Sequence, residues 1–314
     1  MKLIYYLLFF SLINASVYSQ NPNKPMKDLL SAYSFTSSTT TLDDLEISYI
    51  KEGSGEKTLL FVHGLSSNSD AWSKNIEILR KDYTCIALDL PGYGRSSKPD
   101  VDYTPSYFSE ILHQFIEKLE LKNIVLIGHS MGGQASIKFV STFPNEIEKL
   151  ILIAPAGLEQ FSETNVVLMK SFFTSELVKN TSDEQIEKNY ALNFHVQPFE
   201  VTKMIDDRKR IKVASDFDAH CYAIVSSVYG MLDDSVYDDL KAISQKTLVI
   251  FGGKDLLIPN RYFNPTITTK DVGNIAIEKI NKVCLKFIED AGHFVQFEKP
   301  NETNILIKQF VDDK

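Results

Sequence analysis

Short runs of consecutive apolar residues recur along the chain, and most of them are typical of strands that are covered on both faces of a sheet. Between these runs, apolar residues return every three or four positions, as in residues 106–119, which predicts amphipathic helices. Buried strands that alternate with helices favour an α/β fold, with a mostly parallel central sheet and helices on both of its faces. The predicted strands are residues 45–51, 58–62, 83–90, 123–127, 149–154, 247–251 and 283–288.

One long segment interrupts this alternation. Residues 157–242 have helical and irregular patterns without an apolar strand, and we interpret them as a mainly helical cap inserted into the fold. We call them the cap segment. The core is then predicted to consist of residues 20–156 and 243–314. The cap segment contains 15 acidic and 9 basic residues, so most of the net charge of −8 belongs to it.

Residues 1–19 have the layout of a secretory signal peptide. Lys2 precedes an apolar run at residues 3–13, and Val-Tyr-Ser at residues 17–19 fits a cleavage site. The run is shorter than the roughly 20 apolar residues that a membrane-spanning helix needs. We therefore expect an exported protein, periplasmic or secreted, without a stable membrane span after the signal is removed.

Composition excludes several classes of protein. The chain has 314 residues, of which 44% are hydrophobic and 24% charged, as expected of a folded globular protein and not of a disordered one. Its pI of about 5.4 provides no basic surface for a nucleic acid. Three widely separated cysteines, Cys85, Cys221 and Cys284, have neither zinc-ligand spacing nor a disulfide pattern, and we expect buried free thiols.

The most specific local motif is Gly-His-Ser-Met-Gly at residues 128–132, between the strand at 123–127 and a predicted helix at 131–143. A Gly-x-Ser-x-Gly sequence in this position predicts a sharp turn that lifts the Ser130 hydroxyl above the end of the sheet. Ser130 would then lie at the N-terminus of a helix, where backbone amides favour negative charge.

Other strand ends carry further candidate chemistry. Phe-Val-His-Gly-Leu at residues 61–65 follows one strand, and the Leu65 amide could join that of Met131 in an oxyanion hole. Gly-Gly-Lys-Asp at residues 252–255 and Ala-Gly-His at residues 291–293 follow the last two strands. The order serine, aspartate, histidine along the chain is typical of one catalytic triad.

These motifs, together with Asp-Leu-Pro-Gly-Tyr-Gly-Arg-Ser at residues 89–96, resemble the α/β-hydrolase superfamily, in its serine-nucleophile, esterase- or lipase-like branch with a cap. The resemblance covers nearly all of the chain after the signal. It implies that Ser130 is the nucleophile, His293 the base and Asp255 the acid that orients it, with no metal and no organic cofactor. Glu159 is a secondary candidate for the acid.

The predicted function is hydrolysis of carboxylic esters of small to medium apolar substrates through an acyl-enzyme. Alternatives are a carbon–carbon bond hydrolase or a cofactor-free perhydrolase of the same fold, and a binding or sensor protein built on it. The expected partner is a small-molecule ester or related acyl substrate and not a nucleic acid. The sequence does not predict the oligomeric state.

Overall fold

The structure, a computed structural model, describes residues 24–313. The predicted signal peptide lies outside these residues. Eight strands form one sheet in the order β1-β2-β4-β3-β5-β6-β7-β8. The strands are β1 Ser37–Leu42, β2 Leu45–Glu52, β3 Thr58–Val62, β4 Thr84–Leu88, β5 Ile124–His129, β6 Lys149–Ile153, β7 Lys246–Gly252 and β8 Val283–Ile288.

The sheet is mostly parallel, which confirms the predicted fold class. Strands β3 to β8 pair with one another in parallel, whereas β2 pairs antiparallel with both β1 and β4. The carboxyl ends of the parallel strands therefore meet at one edge of the sheet, where α/β proteins bind ligands. Each apolar run identified in the sequence forms a strand, within one or two residues at its ends.

Helices cover both faces of the sheet. The helices are α1 Met26–Leu29, α2 Ser73–Leu79, α3 Pro105–Lys118, α4 Met131–Thr142, α5 Glu163–Phe172, α6 Ser175–Lys179, α7 Asp183–Ala191, α8 Val201–Arg210, α9 Phe217–Asp233, α10 Thr269–Lys279, α11 Val295–Glu298 and α12 Pro300–Asp312. Neighbouring residues of β3 illustrate the two layers, because Leu60 packs in the core shared with α3 and α4, and Leu59 packs in the core shared with α2 and α12.

The cap segment contains α5 to α9 and no strand. Serine side chains cap the N-termini of two of its helices. The Ser162 and Ser182 hydroxyls accept hydrogen bonds from backbone amides in the first turns of α5 and α7. The segment is thus mainly helical, as the pattern predicts. Its boundaries at residues 157 and 242 stay a prediction.

Two parts of the fold differ from the predictions. β1 was not predicted, because its sequence Ser-Ser-Thr-Thr-Thr-Leu has a single apolar residue and the strand lies at an edge of the sheet. The strand predicted at residues 83–90 ends at Leu88, because Asp89 begins a loop: its carboxylate accepts hydrogen bonds from the amides of Ser69 at 2.7 Å and Arg95 at 2.8 Å.

Residues 24–34, which we call the N-terminal strap, precede β1 and contact both the cap segment and the core. Cys85 and Cys221 are buried free thiols as expected, whereas Cys284 is free but exposed, since β8 is the other edge strand. Across residues 24–313, no helix combines the length and the apolar content that a membrane crossing requires.

Candidate active site

Ser130 is the single residue that joins β5 to α4, and its backbone is strained. It has φ +53° and ψ −120°, a conformation that side-chain-bearing residues adopt rarely and at a cost of roughly 1–3 kcal/mol. Hydrogen bonds hold it there: its amide donates to the Ile153 carbonyl and its carbonyl accepts from the Ala156 amide, both at 3.1 Å. The half-buried side chain borders a cavity, as the sharp turn predicts.

Two glycines permit the close packing of this turn. A Cβ atom on Gly132 would lie 2.5 Å from the carbonyl oxygens of both Val62 and His63, at the end of β3. A Cβ atom on Gly64 would lie 3.1 Å from Ser130 Cβ. The loop after β3 can therefore approach Ser130 only because both positions lack a side chain.

Asp255 and His293 form a buried pair at the carboxyl ends of β7 and β8. His293 Nδ1 lies 2.8 Å from Asp255 Oδ2, and both residues are at most 4% exposed. The other oxygen, Oδ1, accepts hydrogen bonds from the amides of Leu257 and Ile258 at 2.8 and 3.0 Å. The carboxylate is therefore hydrogen-bonded on both oxygens, an arrangement that can hold a histidine ring in one tautomer.

His129, the variable residue of the motif, contacts His293 directly. Its Nε2 lies 3.1 Å from the His293 carbonyl oxygen, and its ring stacks on Phe294 at 4.9 Å between centroids. A carbonyl only accepts, so Nε2 carries the proton. Burial, followed by the nearby His293, holds the pKa of His129 well below its usual value, so the ring is neutral.

The two amides suggested for an oxyanion hole flank Ser130. Met131 is the first residue of α4, and Leu65 follows Gly64 in the turn after β3 and borders the cavity. Among residues 24–313, neither amide has a hydrogen-bond acceptor. Both are therefore available to an oxygen of a bound substrate.

Two other conspicuous polar residues have structural partners. Glu159 borders the cavity, but its carboxylate accepts hydrogen bonds from the Asn260 amide and, at 2.7 Å, from Asn264 Nδ2. The ring of His63 donates from Nδ1 to the Gly64 carbonyl at 2.8 Å and accepts at Nε2 from the Leu90 amide at 3.0 Å. Each of these side chains therefore stabilises a loop, and His293 is not among their hydrogen-bond partners in the described residues.

The cavity next to Ser130 has a volume of about 680 Å³ and also reaches His293. The cap segment contributes nine apolar or aromatic side chains to its lining: Phe161, Val166, Met169, Tyr190, Met204, Ile211, Val228, Met231 and Leu232. It also contributes nine polar or charged ones: Glu159, Gln160, Asn189, Asn193, Lys203, Asp207, Arg208, His220 and Ser235. Trp72 is fully buried against Phe61, at 5.0 Å between ring centroids, and is not a wall of the cavity. In the described chain, no cluster of three or more His, Cys, Asp or Glu side chains is arranged to hold a metal ion.

Sequence reasoning missed one part of the cavity. Met26 and Leu30 of the N-terminal strap also line it. The sequence around them resembles a linker, because Asn-Pro-Asn-Lys-Pro is followed by a single short apolar stretch. No local sequence pattern therefore connects Met26 or Leu30 with a site around Ser130.

Known proteins resemble this chain along most of its length. The dihydrolipoyllysine-residue acetyltransferase component of the acetoin cleaving system of Cupriavidus necator is 26% identical over 285 residues, covering 90% of this chain and 70% of that protein. The monoacylglycerol lipase ABHD6 of Homo sapiens is 25% identical over 267 residues, covering 81% of this chain and 75% of the lipase.

A solved structure of another protein has a fold similar to that of this chain. A probable hydrolytic enzyme from Pseudomonas aeruginosa PAO1 has a TM-score of 0.82 to this protein at 20% identity, covering 94% of this chain and 100% of that one. A family model described as the alpha/beta hydrolase fold matches residues 57–300, which include Ser130, Asp255 and His293. Together with the sheet order and the turn at Ser130, this match shows that the chain belongs to the alpha/beta hydrolase fold family.

Proposed function

We propose that this protein is a serine hydrolase that cleaves carboxylic esters of small to medium apolar substrates. One observation carries the proposal: Ser130, on its strained turn, borders the same cavity as His293, which is paired with the buried Asp255. Acyl transfer needs a serine above the edge of the sheet, an imidazole held by a carboxylate, and free amides beside the serine.

In the proposed reaction, the Ser130 hydroxyl attacks the ester carbonyl carbon, and its proton passes to Nε2 of His293. Asp255 accepts the hydrogen bond of His293 Nδ1, so the neutral ring presents an unprotonated Nε2. The same carboxylate stabilises the imidazolium that forms when the proton arrives. The negative charge on the former carbonyl oxygen is stabilised by the amides of Leu65 and Met131.

Collapse of this intermediate expels the alcohol, which takes its proton from His293 and leaves an acyl group on Ser130. Water then attacks the acyl-enzyme while His293 accepts its proton, and His293 passes that proton to the Ser130 oxygen as the bond to the acyl group breaks and the acid is released. The cycle restores Ser130 and His293 to their starting protonation states. It uses this chain's own side chains, the two backbone amides and one water molecule.

The apolar lining of the cavity supports an apolar substrate. A volume of about 680 Å³ is within the range of small-molecule sites, and apolar atoms form the larger part of the surface that lines the cavity. Two relatives, by name a monoacylglycerol lipase and an acetyltransferase component, act on acyl groups, which is consistent with acyl chemistry here.

Purified protein assayed with p-nitrophenyl acetate and butyrate tests the proposal. We expect hydrolysis and covalent labelling by a fluorophosphonate, both abolished in Ser130→Ala. Ser141→Ala is the matched control, because Ser141 lies on the same helix, α4, its hydroxyl donates to the Lys138 carbonyl, and it does not line the cavity. A folded protein without turnover and without labelling would contradict the proposal.

The same screen separates the alternatives. Faster turnover of dienoate-type diketones than of any ester would identify a carbon–carbon bond hydrolase, and peracid formation from acetate and hydrogen peroxide would identify a perhydrolase. Saturable binding of an ester without turnover would identify a binding or sensor protein.

We also propose that the protein is exported, on the sequence of residues 1–19 alone. Expression of the full chain in a bacterium, followed by cell fractionation and N-terminal sequencing, tests this. Export predicts a periplasmic or extracellular product that starts near Gln20, and an uncut cytoplasmic product would refute it.

A further inference from the structure

Several hydrogen bonds join the N-terminal strap to the cap segment, among them those from the Ser215 amide to the Lys24 carbonyl at 2.9 Å and from Arg210 Nη1 to the Ser31 hydroxyl at 2.8 Å. The Met26 amide donates to Asp216 Oδ1 at 2.6 Å. The amide and the hydroxyl of Ser31 both donate to Asp207 Oδ1, at 2.9 and 2.7 Å. Asp216 precedes α9 and Asp207 lies on α8, so the strap contacts the cap segment on two of its helices.

The same strap is attached to the core. The Tyr33 hydroxyl donates to Asp89 Oδ2 at 2.8 Å in a buried hydrogen bond, and the Arg95 guanidinium lies over the Tyr33 ring, 4.4 Å from its centroid. The Ser34 amide donates to Asp70 Oδ1 at 2.6 Å. Since Asp89 follows β4 and Asp70 lies in the loop after β3, the strap is fixed at the carboxyl edge of the sheet.

Between these attachments the strap presents apolar side chains to the cavity. Met26 and Leu30 are four residues apart, a spacing that puts both on one face of a helical turn, and both line the cavity that Ser130 borders. Met26 is only 2% exposed. Leu29, on the same turn, packs against the core instead and does not line the cavity.

The opposing wall is one face of α8 and its continuation. Met204, Asp207 and Ile211 recur there at helical spacing and line the cavity, as do the charged residues Lys203 and Arg208. The charged groups have partners: Asp207 Oδ1 accepts hydrogen bonds from Ser31 and from Arg210 Nη1, Lys203 is paired with Asp70, and Arg208 Nη2 donates to the Val178 carbonyl. The apolar side chains that can contact a ligand between the strap and this face are Met26, Leu30, Met204 and Ile211.

We propose that the space between the strap and α8 is the subsite for the far end of an unbranched aliphatic chain of the substrate, and that Met26 and Leu30 set the chain length that fits. This inference rests on the proposed function, because it assigns the subsite to a substrate held at Ser130. A flexible chain buries its methylene groups against such a wall at a gain of about 0.8 kcal/mol each. A chain too long for the subsite would collide with the strap, which hydrogen bonds on both sides keep in place.

The test compares kcat/KM for p-nitrophenyl esters from two to twelve carbons in wild type, Met26→Ala and Leu30→Ala. Shortening either side chain lengthens the subsite, so the ratio of kcat/KM for the longest ester to that for the butyrate should rise about tenfold. Leu30→Trp should shift the optimum to shorter esters. Leu29→Ala is the matched control, with an unchanged ratio and a similar loss of stability.

Two further measurements separate the failure of this inference from that of the proposed function. Fluorophosphonate labelling reports whether Ser130 is reactive. If Met26→Ala, Leu30→Ala and Leu30→Trp are labelled but keep the wild-type ratio of kcat/KM between long and short esters, the subsite is refuted and the proposed function is not. Titration calorimetry with decanoate on Ser130→Ala, with and without Leu30→Trp, measures the subsite without turnover. We expect Leu30→Trp to weaken decanoate binding at least tenfold, and equal affinities would also overturn the inference.

Discussion

Nε2 of His129 donates a hydrogen bond to the carbonyl oxygen of His293 over 3.1 Å, so the residue before the candidate nucleophile holds the backbone of the candidate base. His129 is thus a positioning residue. His129→Phe keeps the stacking on Phe294 but removes the N–H donor, and we expect kcat to fall about tenfold, as for the loss of a hydrogen bond of about 1.4 kcal/mol.

Steady-state kinetics on a short ester checks this prediction. KM should stay within twofold of wild type, because His129 acts through His293 and not on the substrate. His129→Gln, which can restore an N–H donor, should recover part of kcat. Equal losses in both variants, or a loss confined to KM, would argue for a packing role only.

Asp255 and Glu159 offer a direct comparison of two carboxylates. Asp255→Asn keeps the shape of the side chain but presents the wrong partner to His293 Nδ1, and we expect kcat to fall by about 10⁴. Glu159→Gln should change kcat less than tenfold, because Glu159 binds Asn260 and Asn264 and not His293. Measurement of kcat for the two folded variants tests this prediction. A larger loss of kcat in Glu159→Gln than in Asp255→Asn would assign the role of the acid to Glu159.

Because β3 lies so close to the turn at Ser130, we expect that adding one methyl group at Gly132 strongly destabilises the fold. In Gly132→Ala the new Cβ would meet two backbone carbonyl oxygens at 2.5 Å, and we expect a loss of about 3 kcal/mol of unfolding free energy. Gly273→Ala is the comparison: in α10 its Cβ would face the ends of the Leu285 and Phe287 side chains at 3.0–3.2 Å. Better helix propensity offsets that crowding, so urea denaturation should show a change below about 1 kcal/mol.

Three buried histidines predict that the protein loses stability in mild acid. Burial lowers the pKa of His63 and of His129, and burial followed by Arg208 lowers that of His220 to about 3. In the folded state all three therefore bind protons less readily than in the unfolded chain, whose histidines take up protons below pH of about 6.5. Their stabilising contribution is complete above that pH and is lost as the pH falls, by up to about 4 kcal/mol per pH unit for the three together.

Urea denaturation between pH 7.5 and 4.5 measures this dependence. His220→Gln should reduce the slope by about one third, whereas the exposed His195, replaced by Gln, should leave it unchanged. A free energy of unfolding that is flat between pH 6.5 and 5 would contradict the prediction.

The sequence predicts those parts of the fold whose signal is local. Apolar runs such as residues 58–62 identify buried strands, and the motif around Ser130 identifies the turn, because burial and close backbone approach constrain the residues themselves. The pairing of Asp255 with His293 was foreseen only through a family resemblance, since 38 positions separate them.

What the sequence could not predict depends on contacts between distant residues. β1 has the composition of a loop and becomes a strand because β2 offers it an edge. Met26 and Leu30 become walls of the cavity because polar partners elsewhere fix the strap, and neither residue carries a mark of that role.

The attachments of the strap also determine the order in which the cavity is completed during synthesis. Ser31 and Met26 bind partners that lie 176 and 190 positions further along the chain. The strap is among the first described residues to leave the ribosome, yet it has nothing to bind in the cap segment until α8 and the start of α9 have followed it. A segment that is made early thus closes a pocket whose opposite wall is made late, and a nascent chain that ends before residue 215 lacks the hydrogen bonds that join the strap to Ser215 and Asp216.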